Sequence, residues 1–300
     1  MHSWNRHMFS RREALGSLAL LPSVAVGGTP RADGGDPRLK TAICAYSFRK
    51  ALGDGSLSYL DLVDLAVEHG IDGIDSTVYW FPREGLDGFL AAFRRKAYLA
   101  AVELPSIAIR TDLCRPDARA QDREVAWLRH WVDVSHELGS SHIRVFGGNV
   151  PQGSSEDEAA KWVAEILKRA GDYAAGKGVV LGLENHGGIT ARAERIIQIV
   201  RATDHPNVGI NLDTGNFRSD PYRQIEMCLP YAVNSQFKVD IRDEDGNHTP
   251  SDWDRIVRMF ADAGYRGYLA LEYEAAEDPF TAVPRHLARL RELAAKYGRA

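Results

Sequence analysis

Four segments of the chain each bring a polar side chain to the end of an alternating run. Val179–Glu184 reads VVLGLE, and the two-residue period of a strand puts Val180, Gly182 and Glu184 on one face, with Glu184 at its end. Val208–Asp213 (VGINLD) does the same for Gly209, Asn211 and Asp213. Ala232–Lys238 (AVNSQFK) does so for Asn234, Gln236 and Lys238, and Tyr268–Glu274 (YLALEYE) for Tyr268, Ala270, Glu272 and Glu274. A single carboxylate after a strand is often only a helix cap or a loop ion pair. Several at matching depth on consecutive strands are another matter, because buried carboxylates repel one another and resist ionisation. One divalent cation held by Glu184, Asp213, Gln236 and Glu272 resolves that conflict. Three carboxylates and an amide oxygen are hard donors, so manganese is expected first, with magnesium, cobalt or zinc as substitutes.

These side chains need strands that end on one rim. From Leu39 onward, short β-rich runs alternate with longer segments of helical period, the pattern of βα units around a parallel sheet. The strands are expected at Thr41–Phe48, Gly73–Val78, Ser106–Arg110, His142–Phe146, Val179–Glu184, Val208–Asp213, Ala232–Val239 and Gly267–Tyr273. Helices are expected at Tyr59–Glu68, Val125–Leu138, Lys161–Ala175, Ala193–Arg201, Trp253–Ala263 and Pro284–Tyr297, with Gly70, Gly139, Gly264 and Gly298 as C-caps. About eight units in roughly 260 residues give an α/β fold of one domain, a (β/α)8 TIM barrel, whose chemistry sits at the C-terminal strand ends. The first strand runs into Arg49-Lys50 without a Gly-rich fingerprint, so a dinucleotide site is not supported.

The 300 residues carry 37 Lys and Arg against 41 Asp and Glu, which argues against a nucleic-acid or anionic-membrane partner. Cys44, Cys114 and Cys228 lie far apart, so neither a disulfide framework nor a cysteine zinc site is indicated, although one bridge stays open. Ser10-Arg11-Arg12 before the apolar run Ala14–Val26 reads as a twin-arginine export signal over residues 1–25, too short to span a bilayer. Residues 26–38 read as a linker and 39–300 as the barrel. The mature protein is expected to be exported, to the periplasm, with no membrane segment; its oligomeric state is left open.

The runs LENHGG (Leu183–Gly188), NLDTGN (Asn211–Asn216) and YRGYLALEYE (Tyr265–Glu274) together resemble the sugar phosphate isomerase/epimerase family, the xylose isomerase-like barrels, over Leu39–Tyr297. In that family a Glu, an Asp, a His and a Glu hold one divalent metal. The resemblance maps these onto Glu184, Asp213, Gln236 and Glu272, with Gln236 departing from the usual His-x-Lys. It implies proton abstraction next to the carbonyl of a sugar, through a metal-stabilised enediolate. Glu184 and Glu272 would move the proton, and His186 and Lys238 would polarise or protonate substrate oxygens. The plainer readings are a loop histidine bonded to backbone and an ion pair of Lys238 with Asp240 or Glu274.

The loops Arg242–Asn247 and Ala275–Asp278 are acidic and would repel phosphate, so an unphosphorylated sugar or ketosugar is expected as the small-molecule substrate. Tyr46, Phe48, Trp80, Phe81 and Phe146 would form either a wall for a sugar face or plain core, the latter favoured. Arg110 and Arg144 would bind an anion or pair with a helix, and His248 would be an exposed loop residue. Three alternatives stay open: a lyase eliminating the aglycone of 3-keto-glycosides, a non-catalytic sugar-binding barrel made plausible by Gln236, and a DNA-repair endonuclease, which would need a His-rich multi-zinc site and a basic groove.

Overall fold

The computed structural model describes residues 36–243 and 245–298. The proposed export signal therefore lies outside the described residues. Eight parallel strands close into a barrel: β1 (Arg38–Cys44), β2 (Gly73–Thr77), β3 (Glu103–Ala108), β4 (His142–Phe146), β5 (Val180–Glu184), β6 (Val208–Asp213), β7 (Ala232–Phe237) and, after the short antiparallel hairpin β8 (Asp240–Arg242) and β9 (His248–Pro250), β10 (Arg266–Leu271). The α/β barrel expected from the alternation is thus the fold. Arg38, assigned above to the linker, already opens β1 beside Arg266.

The helices are α1 (Arg49–Asp54), α2 (Tyr59–His69), α3 (Leu86–Leu99), α4 (Ala118–Leu138), α5 (Glu156–Ala175), α6 (Ala193–Thr203), α7 (Pro221–Cys228), α8 (Trp253–Asp262) and α9 (Pro279–Tyr297). Side-chain caps set several of their starts. Ser58 with Asp61 and Ser155 with Glu158 form reciprocal capping boxes at α2 and α5. Asp117 accepts from the Ala120 amide and so starts α4 seven residues ahead of the expected Val125. Gly70 and Gly139 end their helices in the left-handed conformation, whereas Gly298 is extended and caps in no such way.

Several strand ends differ from expectation by one to four residues, and at two of them the physical reason is visible. β3 begins at Glu103 rather than Ser106 because its pairing with β2 slips between Gly73 and Asp75, and the irregularity absorbs Pro105, which has no N–H to give. β1 stops at Cys44, and Ala45–Phe48 winds into a tight turn that starts the rim.

Outward-facing strand residues such as Ile43, Ile74, Ile107, Ile143, Leu181, Ile210, Leu212, Leu269 and Leu271 are fully buried against the helices. Each contributes roughly 1.5–3 kcal/mol. The barrel interior is different. It is filled by small and polar groups, including Asp75, Ser106, His142, Asn211 and Asn234, where bulky branched residues usually stand. Gly182 makes room for this layer. A Cβ there would collide with His142 Nε2 and lie 3.0 Å from the Asn211 Cβ. Gly182→Ala is therefore expected to destabilise the fold by about 1–3 kcal/mol through overpacking, read as a lowered midpoint in urea unfolding; an unchanged midpoint would show that the layer yields freely.

Candidate active site

The polar ends of β4, β5, β6, β7 and β10 meet at one rim. Glu184 ends β5, Asp213 ends β6, Gln236 stands in β7 paired beside Asp213, and Glu272 follows β10 with its amide donating to Phe237 O at 3.0 Å. All four are buried. Asn185 splints the first two strands: its Nδ2 donates to Asp213 O and its Oδ1 accepts from the Asp213 amide, both at 2.9 Å. Trp253 Nε1 and Ser251 Oγ donate to Lys238 O at 2.8 and 2.9 Å, fixing the backbone just past β7. Gly215 leaves the corridor through which Lys238 passes, since a Cβ there would lie 2.5 Å from Lys238 Cγ and 2.7 Å from Asp240 O.

Lys238 reaches inward from that point. Its Nζ lies 2.6 Å from Glu272 Oε2 and 3.5 Å from Asp213 Oδ2, and it also donates to Glu274. The expected partner Glu274 is thus one of three, and Asp240 is not among them. Glu184 is matched by Arg144, whose Nε stands 3.0 Å from Oε2, an ion pair by distance whose N–H is not aimed along a hydrogen bond. Asn216 Nδ2 donates to the other oxygen of Glu184 at 3.0 Å. The guanidinium lies 4.1 Å over the Phe146 ring, and Phe146 in turn stacks on His186 at 4.1 Å between centroids. Tyr79 Oη accepts from both terminal nitrogens of Arg144 at 3.3 Å.

The electrostatics divide the carboxylates. Burial raises Glu184 well above its usual range against the opposing pull of Arg144, and raises Asp213 to about 7 against Lys238. Burial also acts to raise Glu272, but Lys238 and Arg144 outweigh it and hold the carboxyl below its usual value. Desolvation lowers His186, with Arg144 adding to the effect, so its ring is neutral near pH 7.

Two connected chambers open over this rim. A deep cleft of about 150 Å³ is walled by Tyr46, Tyr79, Phe146, Glu184, Glu272 and Lys238. An outer chamber of about 410 Å³ shares His186, Asn216, Lys238 and Glu274 with it and continues to Arg218, Arg242 and His248. Glu184, Glu272, His186 and Lys238 are therefore brought together as expected. Tyr46 and Phe146 belong to the wall, whereas Phe48 and Phe81 are core.

Other expectations need correction. Arg144 pairs inside the barrel and not with a helix. His248 is exposed as expected but stands in strand β9 of a hairpin, where it lines the outer chamber. In the loop after β7, Asp243 accepts from the Asp245 and Asn247 amides of its own turn, while Arg242 lines the chamber beside Asp240. The three cysteines are free and buried, so no bridge forms. Asn185 and Asn216 lie in the quoted LENHGG and NLDTGN runs, whereas Tyr79 carries no signal in the sequence.

The donors proposed for a divalent ion do not fit one as they stand. Among the described residues no group of three His, Cys, Asp or Glu side chains converges as metal ligands do. Gln236 Oε1 accepts from Asn211 Nδ2 at 3.0 Å, and its Nε2 faces Cys44 Sγ at 3.8 Å. Each carboxylate of the set already faces Lys238 or Arg144.

The backbone matches D-psicose 3-epimerase from Clostridium cellulolyticum H10, solved with D-tagatose, with a TM-score of 0.69 and 15% identity over 87% of this chain and 100% of that one. It matches 3-keto-D-glucoside 4-epimerase from E. coli with a TM-score of 0.67 and 16% identity, over 85% and 99%. A probable 3-DHS dehydratase from Bacillus anthracis matches with 0.61 and 19% identity, over 85% and 98%. At such identities the likeness is one of fold. No curated protein matches the chain by sequence. The family model for the xylose isomerase-like TIM barrel matches residues 63–293, in keeping with the closed barrel, and the chain belongs to that family.

Proposed function

We propose that the chain is an isomerase or epimerase that moves a proton at the carbon next to the carbonyl of an unphosphorylated sugar or ketosugar. One observation carries this reading: two buried carboxylates, Glu184 at the end of β5 and Glu272 just past β10, line a cleft of about 150 Å³ that also holds Lys238 and His186. A base on one wall removes the α-proton, the electron pair moves onto the carbonyl oxygen, and an acid on the other wall returns a proton to carbon or to oxygen. Lys238 and His186, which line the same cleft, would donate to the developing oxyanion. The two buried cations of the cleft are matched to carboxylates, which argues against a phosphate dianion there. The twin-arginine-like start supports export to the periplasm, where free sugars are met.

The outer chamber favours a second reading. Its room beyond His186 and Lys238 would admit an aglycone, so the same α-proton removal on a 3-keto-glycoside could expel the leaving oxygen from the β-carbon, forming a C=C bond as the C–O bond breaks and a donor protonates the leaving group. In D2O with a panel of ketoses and 3-keto-glycosides, the chain is expected to place deuterium at the α-carbon of at least one sugar, seen by NMR. Aglycone release would select the lyase. No exchange with any member, in folded protein, would remove the reading.

A further inference from the structure

We infer that the Lys238 ammonium and the Arg144 guanidinium take the place of a divalent cation, so that the barrel holds no resident metal. The donor set argues for this atom by atom. Lys238 has three N–H bonds and three carboxylates around it, Glu272, Asp213 and Glu274, so the point where carboxylate oxygens of β6 and β10 converge is already filled by a charged nitrogen. A cation with first-shell oxygens at roughly 2.0–2.6 Å would have to evict that nitrogen from Glu272 and Asp213. Glu184 is drawn the other way, toward Arg144 from β4 and Asn216.

Gln236 completes the case. It belongs to an amide chain: Asn234 Nδ2 donates to Asn211 Oδ1 at 2.9 Å, and Asn211 Nδ2 donates to Gln236 Oε1 at 3.0 Å. The amide oxygen that a metal would need is thus turned to Asn211, and the chain of amides is buried and mutually satisfied. An ammonium also suits a proton-transfer site, since the N–H it now gives to the exposed Glu274 can turn to the developing oxygen while Glu272 stays paired; this part rests on the proposed function, whereas the absence of a resident metal does not.

The cleft lining carries Glu184, Glu272 and Glu274 beside Lys238, Arg144 and Arg110, so a count of charges does not decide whether a cation enters, and a direct titration does. The chelator-treated wild-type chain would be titrated with Mn2+, free ion being read by electron paramagnetic resonance, with melting temperature measured alongside. The expected result is no stoichiometric binding and no change in melting temperature with Mn2+ or with EDTA. About one Mn2+ per wild-type chain, with the stabilisation that binding to the native state must bring, would overturn the inference.

The double variant Gln236→His/Lys238→Met frees the centre and supplies an imidazole, and is expected to gain one Mn2+ per chain. A folded double variant that still binds none would overturn the assignment of Lys238 to the metal's place. Deuterium exchange by the chelator-treated wild type separates the two readings. Exchange without metal supports both; no exchange and no metal binding leaves this inference standing and removes the proposed function.

Discussion

Glu272→Gln is expected to lower α-carbon deuterium exchange by about 10²- to 10⁴-fold, the loss typical of a removed general acid or base. The substitution keeps the shape of the side chain and removes the carboxylate that Lys238 and Arg144 hold below its usual value. Lys238 loses its partner at 2.6 Å but keeps Glu274 and Asp213, so the ammonium stays matched and the fold is expected to survive. Glu274→Gln is the natural control. Glu274 pairs with the same lysine but is 42% exposed, so its removal is expected to cost activity far less. Equal exchange rates for Glu272→Gln and the wild type would take Glu272 out of the proton transfer altogether.

The control also bears on what a sequence can show. The rim was legible because a strand's period is fixed: once VVLGLE, VGINLD and YLALE are read as strands, Glu184, Asp213 and Glu272 must lie near one end and one face. Their partners were not legible. Arg144 lies on β4, 40 positions from Glu184, and nothing along the chain says that β4 and β5 place the two side chains 3.0 Å apart. The same holds for Gln236, whose type suggested a ligand but whose amide is turned by Asn211 and Asn234, a matter of three-dimensional neighbours alone.

Among the helices, α3 shows its buried face in Leu90, Phe93 and Ala97, spaced three and four apart, but Gly88 and the Arg94-Arg95-Lys96 run dilute that period in the sequence. α7 is only eight residues long and starts at Pro221, too short for its period to stand out from a loop. The loop after β7 is acidic by composition, but a composition count cannot see that Asp243 gives an acceptor to its own turn or that Arg242 lines the chamber.

Arg144→Met is expected to destabilise the protein by about 3–5 kcal/mol, the cost of leaving a buried charge without its counter-ion. Arg144 and Glu184 are 3% and 2% exposed, so neither water nor salt can replace the lost partner. Methionine preserves much of the contact with Phe146, which keeps the loss from being one of packing. Glu184→Gln in the same background should recover part of the stability, because a neutral amide needs no cation, and a double-mutant cycle in urea then isolates the pair. The surface pair Arg192–Glu156, 62% and 50% exposed, supplies the contrast: breaking it is expected to cost about 0–1 kcal/mol although its 2.6 Å distance is shorter. Distance alone would rank the surface pair first; burial reverses the order. If Arg144→Met unfolded at the wild-type urea midpoint, Glu184 would be carried as a neutral acid without its guanidinium, and Arg144 would be no stand-in for a cation.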